Sequence, residues 1–371
     1  MQRRSMPVSW IILGICLLSA SASVSVAQDL PIPRPTGGFG VGTTVWHWVD
    51  SRRPDDVTAD PSDVREIMAQ VWYPTDTPAA TYSDIYAPLD KGVTQAKGWS
   101  RPARPFAAAI EKAPVIALCP GLGLARHYYT SLAEDLASHG YVVLGMDFPH
   151  YNPILYPDGR YIPASLFPPL SLWAGGYDGV DRFHERSGAL GTGDTLFALE
   201  TLEKLTKSDP TGRLTDRLDW KRLGAFGHSQ GGRSCAGAVQ ASNEKFLAFA
   251  AMEGAAPRQV RLEGMTVPVM MMVGSYLPDY VVNTIRGVIP NRKNDVYFFL
   301  LNTFNHNSLN DLPYLDPVRF PSAVNPAFAL EQGRFMVRTF FDQYVKGTGA
   351  DTRDLGQLPL VTMEHYPRPE L

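Results

Sequence analysis

Cysteine is scarce in this 371-residue chain, which carries only Cys16, Cys119 and Cys235. Two of the three lie beyond a leader expected to end at Ala27, too few for a disulfide-built scaffold even in an oxidising compartment. A single Cys119–Cys235 bridge is open to them, although burial as small hydrophobes is the preferred reading. An excess of either charge is also missing. The 34 Lys and Arg against 37 Asp and Glu leave a formal net charge of −3, so no basic field exists to hold nucleic acid or coat an anionic membrane. Apolar runs stay well short of the roughly 20 residues a spanning helix needs. No internal repeat is visible, and the eight histidines form no ligand-spaced cluster, so neither a metal nor another cofactor is expected.

What the chain does have begins with a leader. Arg3 and Arg4 precede the apolar "WIILGICLLSA", and "SVAQ" offers small residues for cleavage after Ala27, the pattern of a secretory signal. Ile15 stands where lipid attachment at Cys16 would need a small residue. A secreted or periplasmic protein starting near Gln28 is expected, with residues 28–371 forming one domain and no integral membrane segment once the leader is gone. Its 31 prolines and 32 glycines are spread out, which suits long ordered loops better than a disordered tail.

The segments "TTVWHWVD" and "REIMAQVWYPT" read as an antiparallel pair around the turn "SRRPDD". From Pro114 onward "PVIALCP", "YVVLGMDF", "RLGAFG", "FLAFAAM", "VPVMMMVG" and "VYFFLLN" are short, nearly continuous apolar runs, as in strands buried on both faces of a parallel sheet. Helical spacing lies between them: Tyr129, Leu132, Ala133 and Leu136 ending near Gly140; Leu196, Leu199, Leu202 and Leu205 starting near Thr192 or Asp194; and Ala327 to Val345. This alternation predicts an α/β class fold, a doubly wound and mostly parallel sheet extended by antiparallel N-terminal edge strands. Residues 150–186, rich in Pro and aromatics, read as a loop-rich, cap-like insertion. A shorter insertion, Ser275 to Asp295, places Leu277, Tyr280, Val281 and Ile285 at helical spacing, as ordinary packing would.

The chemistry centres on "LGAFGHSQGGRSCA", residues 223–236. Gly227, Ser229 and Gly231 form G-x-S-x-G after an apolar strand and before a small-residue helix, the context of a nucleophile elbow. A serine needs a base, and the base needs an acid to orient it. After an elbow of this kind the acid comes next in the chain and the histidine last. His306, in the loop after "VYFFLLN", is the expected base, because His365 falls in a C-terminal "EHYPRPEL" expected to fray. For the acid, Glu253 and Asp279 both follow apolar strands, and the residues alone give Glu253 only a modest preference. Backbone N–H groups must meet the developing oxyanion. These are assigned to Gln230, directly after the nucleophile, and to Leu122 in "CPGLGLARHYY", where Gly121 and Gly123 admit close approach.

At these residues the chain resembles the platelet-activating factor acetylhydrolase family of plasma and isoform II type, with its exported bacterial relatives, within the α/β hydrolases. "VGTTVWHWVDSRRPD", "VWYP", "PGLGLARHYYTSLAEDLASHGYVV", "YPDGR", "GAFGHSQGG", "MEG" and "HNSLND" occur in the family's order. The resemblance implies an α/β hydrolase fold, the triad Ser229, Glu253 and His306, oxyanion donors at Leu122 and Gln230, and no metal. It favours Glu253 over Asp279, although the family generally carries aspartate there. It implies a serine ester hydrolase of lipid metabolism, cleaving short-acyl esters including phospholipids with a short or oxidised chain. Two other readings fit the residues: a carboxylesterase on non-lipid or polymeric esters, and a catalytically inactive binding protein on the same fold. Natural substrate, acyl length and oligomeric state are not encoded in any feature named here.

Overall fold

The computed structural model describes residues 31–78, 83–84, 97–168, 177–242 and 245–370. The leader and its expected cleavage site after Ala27 lie outside these residues, as do residues 169–176 of the cap-like stretch.

Ten strands build one sheet: β1 (Gly40–Pro54), β2 (Val64–Thr75), β3 (Arg101–Pro102), β4 (Ala113–Cys119), β5 (Val142–Asp147), β6 (Leu218–His228), β7 (Phe246–Met252), β8 (Val269–Gly274), β9 (Val296–Leu301) and β10 (Val361–Tyr366). Their order is β10-β9-β8-β7-β6-β4-β5-β2-β1-β3. The run from β5 to β9 is parallel throughout. β2 joins antiparallel to β5 and carries antiparallel β1. The doubly wound sheet with antiparallel N-terminal edge strands is therefore present. β4 and β8 are buried at every position, which is why their sequences lack the alternation of a half-exposed strand.

Helices cover both faces. Leu132, Leu136, Met336, Val337, Phe340 and Phe341, from α1 (Thr130–Ser138) and α6 (Pro326–Phe341), pack with Ile116, Leu118 and Phe226 on one face. Ala198, Leu202, Cys235 and Val239, from α2 (Tyr177–Leu205) and α3 (Gln230–Ala241), pack with Val115, Ala117 and Phe249 on the other. Each fully buried aromatic such as Phe226 or Phe249 contributes roughly 1.5–3 kcal/mol relative to exposure. Two short helices, α4 (Arg258–Glu263) and α5 (Asp279–Ile285), follow β7 and β8. Val260 and Ile285 join the α2–α3 face, and Leu277 and Val281 pack against that core, as expected of the 275–295 insertion.

Two expectations need correction. The helix placed near Thr192 begins at Tyr177, so the last ten residues of the 150–186 stretch are its opening turns and not loop. Glycines hid it, because each costs about 1 kcal/mol in a helix interior. They are there for packing: a Cβ on Gly188 would lie 2.8 Å from Arg233 Cδ, and one on Gly191 would collide with Ser234 Oγ. Ion pairs then fasten α2 to its neighbours. Asp181 pairs with Arg233 at 2.5 Å and Arg261 at 2.7 Å, and Glu185 pairs with Arg233. The second correction is the C-terminus. Residues 361–366 do not fray but form β10 antiparallel to β9, with His365 stacked on Tyr297 at 4.4 Å and bonded to Asp295 at 3.2 Å.

Candidate active site

The parallel strands end together on one edge of the sheet, and the candidate residues gather there, as ligands do in open α/β sheets. Ser229 sits between β6 and α3 at φ 53° and ψ −120°, a left-handed conformation that strains any residue with a Cβ. The flanking glycines make this turn possible. A Cβ on Gly227 would strike Gly231 O, and one on Gly231 would strike Cys119 O. Ser229 N–H donates to Met252 O at 2.7 Å, which ties the turn to the end of β7.

Glu253 is the next residue after Met252, and it too has a positive φ, 49°. Its carboxylate is almost fully covered, and it reaches across to the end of β8. There Oε1 accepts from Gly274 N–H at 2.8 Å and Oε2 from the Tyr276 hydroxyl at 2.7 Å. Oε2 also lies 2.5 Å from His306 Nδ1. The longer side chain of glutamate is accommodated by a turned backbone and a bare Gly274, where a Cβ would come 2.6 Å from Oε1. Burial of its hydroxyl, reinforced by the Glu253 charge, pushes the Tyr276 pKa well above the usual phenol value, so it stays protonated and donates. Asp279 lies apart: it is exposed in the first turn of α5. The structure thus brings Glu253, not Asp279, to His306. With Nδ1 engaged by Glu253, His306 has Nε2 left for proton transfer.

The loop after β4 is held on three sides. Gly121 N–H donates to the Tyr129 hydroxyl at 3.1 Å, Gly123 N–H to Tyr151 O at 2.8 Å and Leu124 N–H to Gly121 O at 3.0 Å. Asn152 Nδ2 donates to the carbonyls of Gly121 and Leu124 at 3.0 and 2.5 Å. The Leu122 N–H has no acceptor among the described residues. Gln230, at the first position of α3, has no intrahelical acceptor for its N–H either. The two backbone donors expected from the sequence are thus among the amides left without an acceptor in these segments. Side chains behind them complete a polar frame. Tyr129 Oη lies 2.5 Å from His228 Nδ1, and the His228 ring stands 4.5 Å from that of His306. Burial, with His306 adding repulsion, holds the His228 pKa well below the usual imidazole value. His228 is neutral, so it can accept from the phenol without placing a competing charge beside His306.

Asn152, Tyr129, Tyr276 and the side chain of Gln230 were not found from the sequence. No spacing links them to the serine, although Tyr129 and Asn152 do flank the Gly-rich loop and the cap. Gln230 Nε2 donates to Tyr151 Oη at 2.8 Å, His184 O at 3.1 Å and Ser187 Oγ at 3.1 Å, joining the elbow to α2. Ser187 also lines a cavity of about 510 Å³ with Leu166, Phe183, Leu190, Arg182 and Arg186. Arg182 and Arg186 make no ion pair among the described residues. Because Asn152 grips two carbonyls of the candidate oxyanion loop, Asn152→Ala is expected to lower kcat about 10–100-fold with KM little changed. Initial-rate kinetics on p-nitrophenyl acetate check this, and a parallel fall in kcat and rise in KM would argue against a positioning role.

A protein-family model described as platelet-activating factor acetylhydrolase, isoform II, matches residues 25–150. No curated protein matches the chain by sequence. Among solved structures, a ferulic acid esterase from Streptomyces cinnamoneus is similar, with a TM-score of 0.72 and 24% identity, over 91% of this chain and 99% of that one. Among the described residues no helix is long and apolar enough to cross a membrane. Residues 25–150 are thus similar to that family, and over nearly the whole chain the fold is that of the esterase it resembles.

Proposed function

We propose that the protein is an exported serine ester hydrolase acting through Ser229, His306 and Glu253 on short-acyl carboxylic esters, short-chain phospholipids among them. The observation that carries this reading is the Glu253–His306 pair, held at the sheet edge where the strained serine turn and two unengaged backbone amides also lie. Ser229 Oγ attacks the ester carbonyl carbon while His306 Nε2 takes its proton. Leu122 and Gln230 N–H groups meet the oxyanion as it forms. One such donor is worth about 10²–10³ in kcat. His306 then protonates the leaving alcohol. Water, deprotonated by the same nitrogen, attacks the acyl enzyme, and the buried Glu253 carboxylate stabilises each imidazolium. Export is proposed from the leader alone.

The cavity supports the phospholipid branch of this reading. Leu166, Phe183 and Leu190 offer an apolar wall, and Arg182 and Arg186, which outnumber the one acid of the lining, Asp56, and make no ion pair among the described residues, suit a phosphate. An acyl-chain series on the purified protein tests it, comparing p-nitrophenyl esters, short-chain phosphatidylcholines and methyl ferulate, the last because one structural relative is a ferulic acid esterase. Hydrolysis of short-acyl phospholipids with a decline as the chain lengthens is expected. Turnover of soluble esters with none on phospholipids would reject the lipid branch and leave the non-lipid carboxylesterase reading.

A further inference from the structure

We propose that Cys119 and Cys235 close a disulfide in the mature protein, bolting the strand that carries the candidate oxyanion loop to the helix that carries the candidate nucleophile. Cys119 is the last residue of β4, two before Gly121, and Cys235 lies in α3, six after Ser229. Both side chains are 0% exposed, and their sulfurs stand 2.8 Å apart. That is longer than a disulfide bond of about 2.05 Å but well inside the roughly 3.5–4.0 Å at which even smaller carbon atoms rest unbonded.

A thiol-to-thiol hydrogen bond from Cys235 to Cys119 does not require so close an approach. The Thr195 hydroxyl donates to Gly191 O at 2.7 Å, so toward Cys119 Sγ, 3.3 Å away, it is an acceptor for the thiol proton. The Cys235 thiol has Phe226 O at 3.3 Å as its own acceptor. The Cys235 proton can point to Cys119 Sγ or to Phe226 O and the Cys119 proton to Thr195 Oγ1, and in either arrangement these two free thiols are crowded in a way that a bond would relieve. The two segments are packed tightly at this point, since Gly231 of α3 abuts the carbonyls of Cys119 and Pro120 with no room for a Cβ.

Oxidation balances with a small disulfide such as oxidised glutathione as the oxidant. One cysteine thiolate attacks a glutathione sulfur, forming a mixed disulfide and releasing one glutathione thiolate. The second cysteine thiolate then attacks the protein sulfur and releases the other. The two cysteine protons end on the two glutathiones, which gain the two electrons. No glutathionyl group fits a fully buried seam, so the exchange belongs to folding, before α3 docks against β4. This holds whatever ester the protein cleaves.

Peptide mapping of the full chain tests it. The reduced, unfolded chain is refolded in a buffer containing oxidised glutathione, free thiols are blocked with iodoacetamide during unfolding, and trypsin is added. Trypsin isolates Cys119 in residues 113–126 and Cys235 in residues 234–245, so Cys16 does not interfere. A linked pair of these two peptides that separates on reduction is expected as the dominant species. Both peptides carrying the blocking group, or either carrying glutathione or linked to a second chain, would overturn the proposal.

Discussion

Ser229→Ala is expected to lower kcat by roughly 10⁴–10⁶-fold, the largest loss of any single substitution in the chain. The elbow fixes one hydroxyl at the sheet edge, and no neighbour can replace it. His228 is turned toward Tyr129, and Ser234 Oγ donates back to Gln230 O. What survives should be the acceleration that binding and the backbone donors supply without covalent chemistry, about 10³–10⁴ over water in enzymes of this kind. Alanine leaves the turn strained as before, so the melting temperature should move little. A fluorophosphonate should label the parent at Ser229 and leave the variant unlabelled. A folded parent that resists labelling would favour the inactive binding-protein reading.

Glu253→Gln should cost nearly as much, about 10⁴-fold in kcat, whereas Asp279→Asn should change it by less than about twofold, as exposed substitutions usually do. The glutamine carbonyl can keep the Gly274 N–H, which leaves its amide NH₂ facing His306 Nδ1. An amide donor there forces the imidazole proton onto Nε2, and a protonated Nε2 cannot accept from serine. Steady-state kinetics on both variants decide the matter. A large loss at Asp279 with Glu253→Gln near the parent would transfer the acid role to the exposed carboxylate.

The contrast between these two carboxylates shows what the residues alone could convey. The serine turn was readable because its requirements are local: glycines on both sides, an apolar strand before and small residues after. The acid was readable only as a modest preference, because what distinguishes Glu253 is a hydrogen bond to Gly274 on the next strand and another to Tyr276, partners 21 and 23 residues away. The fully buried strands announced themselves as continuous apolar runs. The first half of α2 did not, since its glycines answer to α3 and not to the helix they sit in. β10 was missed for a similar reason: its half-buried pattern acquires meaning only once β9 is alongside to pair with it.

β10 also has a bearing on how the protein is made. Residues 361–366 leave the ribosome some sixty residues after β9, and they are the seal on it. Until they arrive, β9 presents a bare ladder of amides and carbonyls, flanked by the segment that bears His306. Such an edge invites pairing with another nascent chain. A chain cut short before residue 361 would keep every residue named at the candidate site and yet carry a sticky margin. The fate of such fragments would then be decided by proteases and chaperones before any question of activity arose.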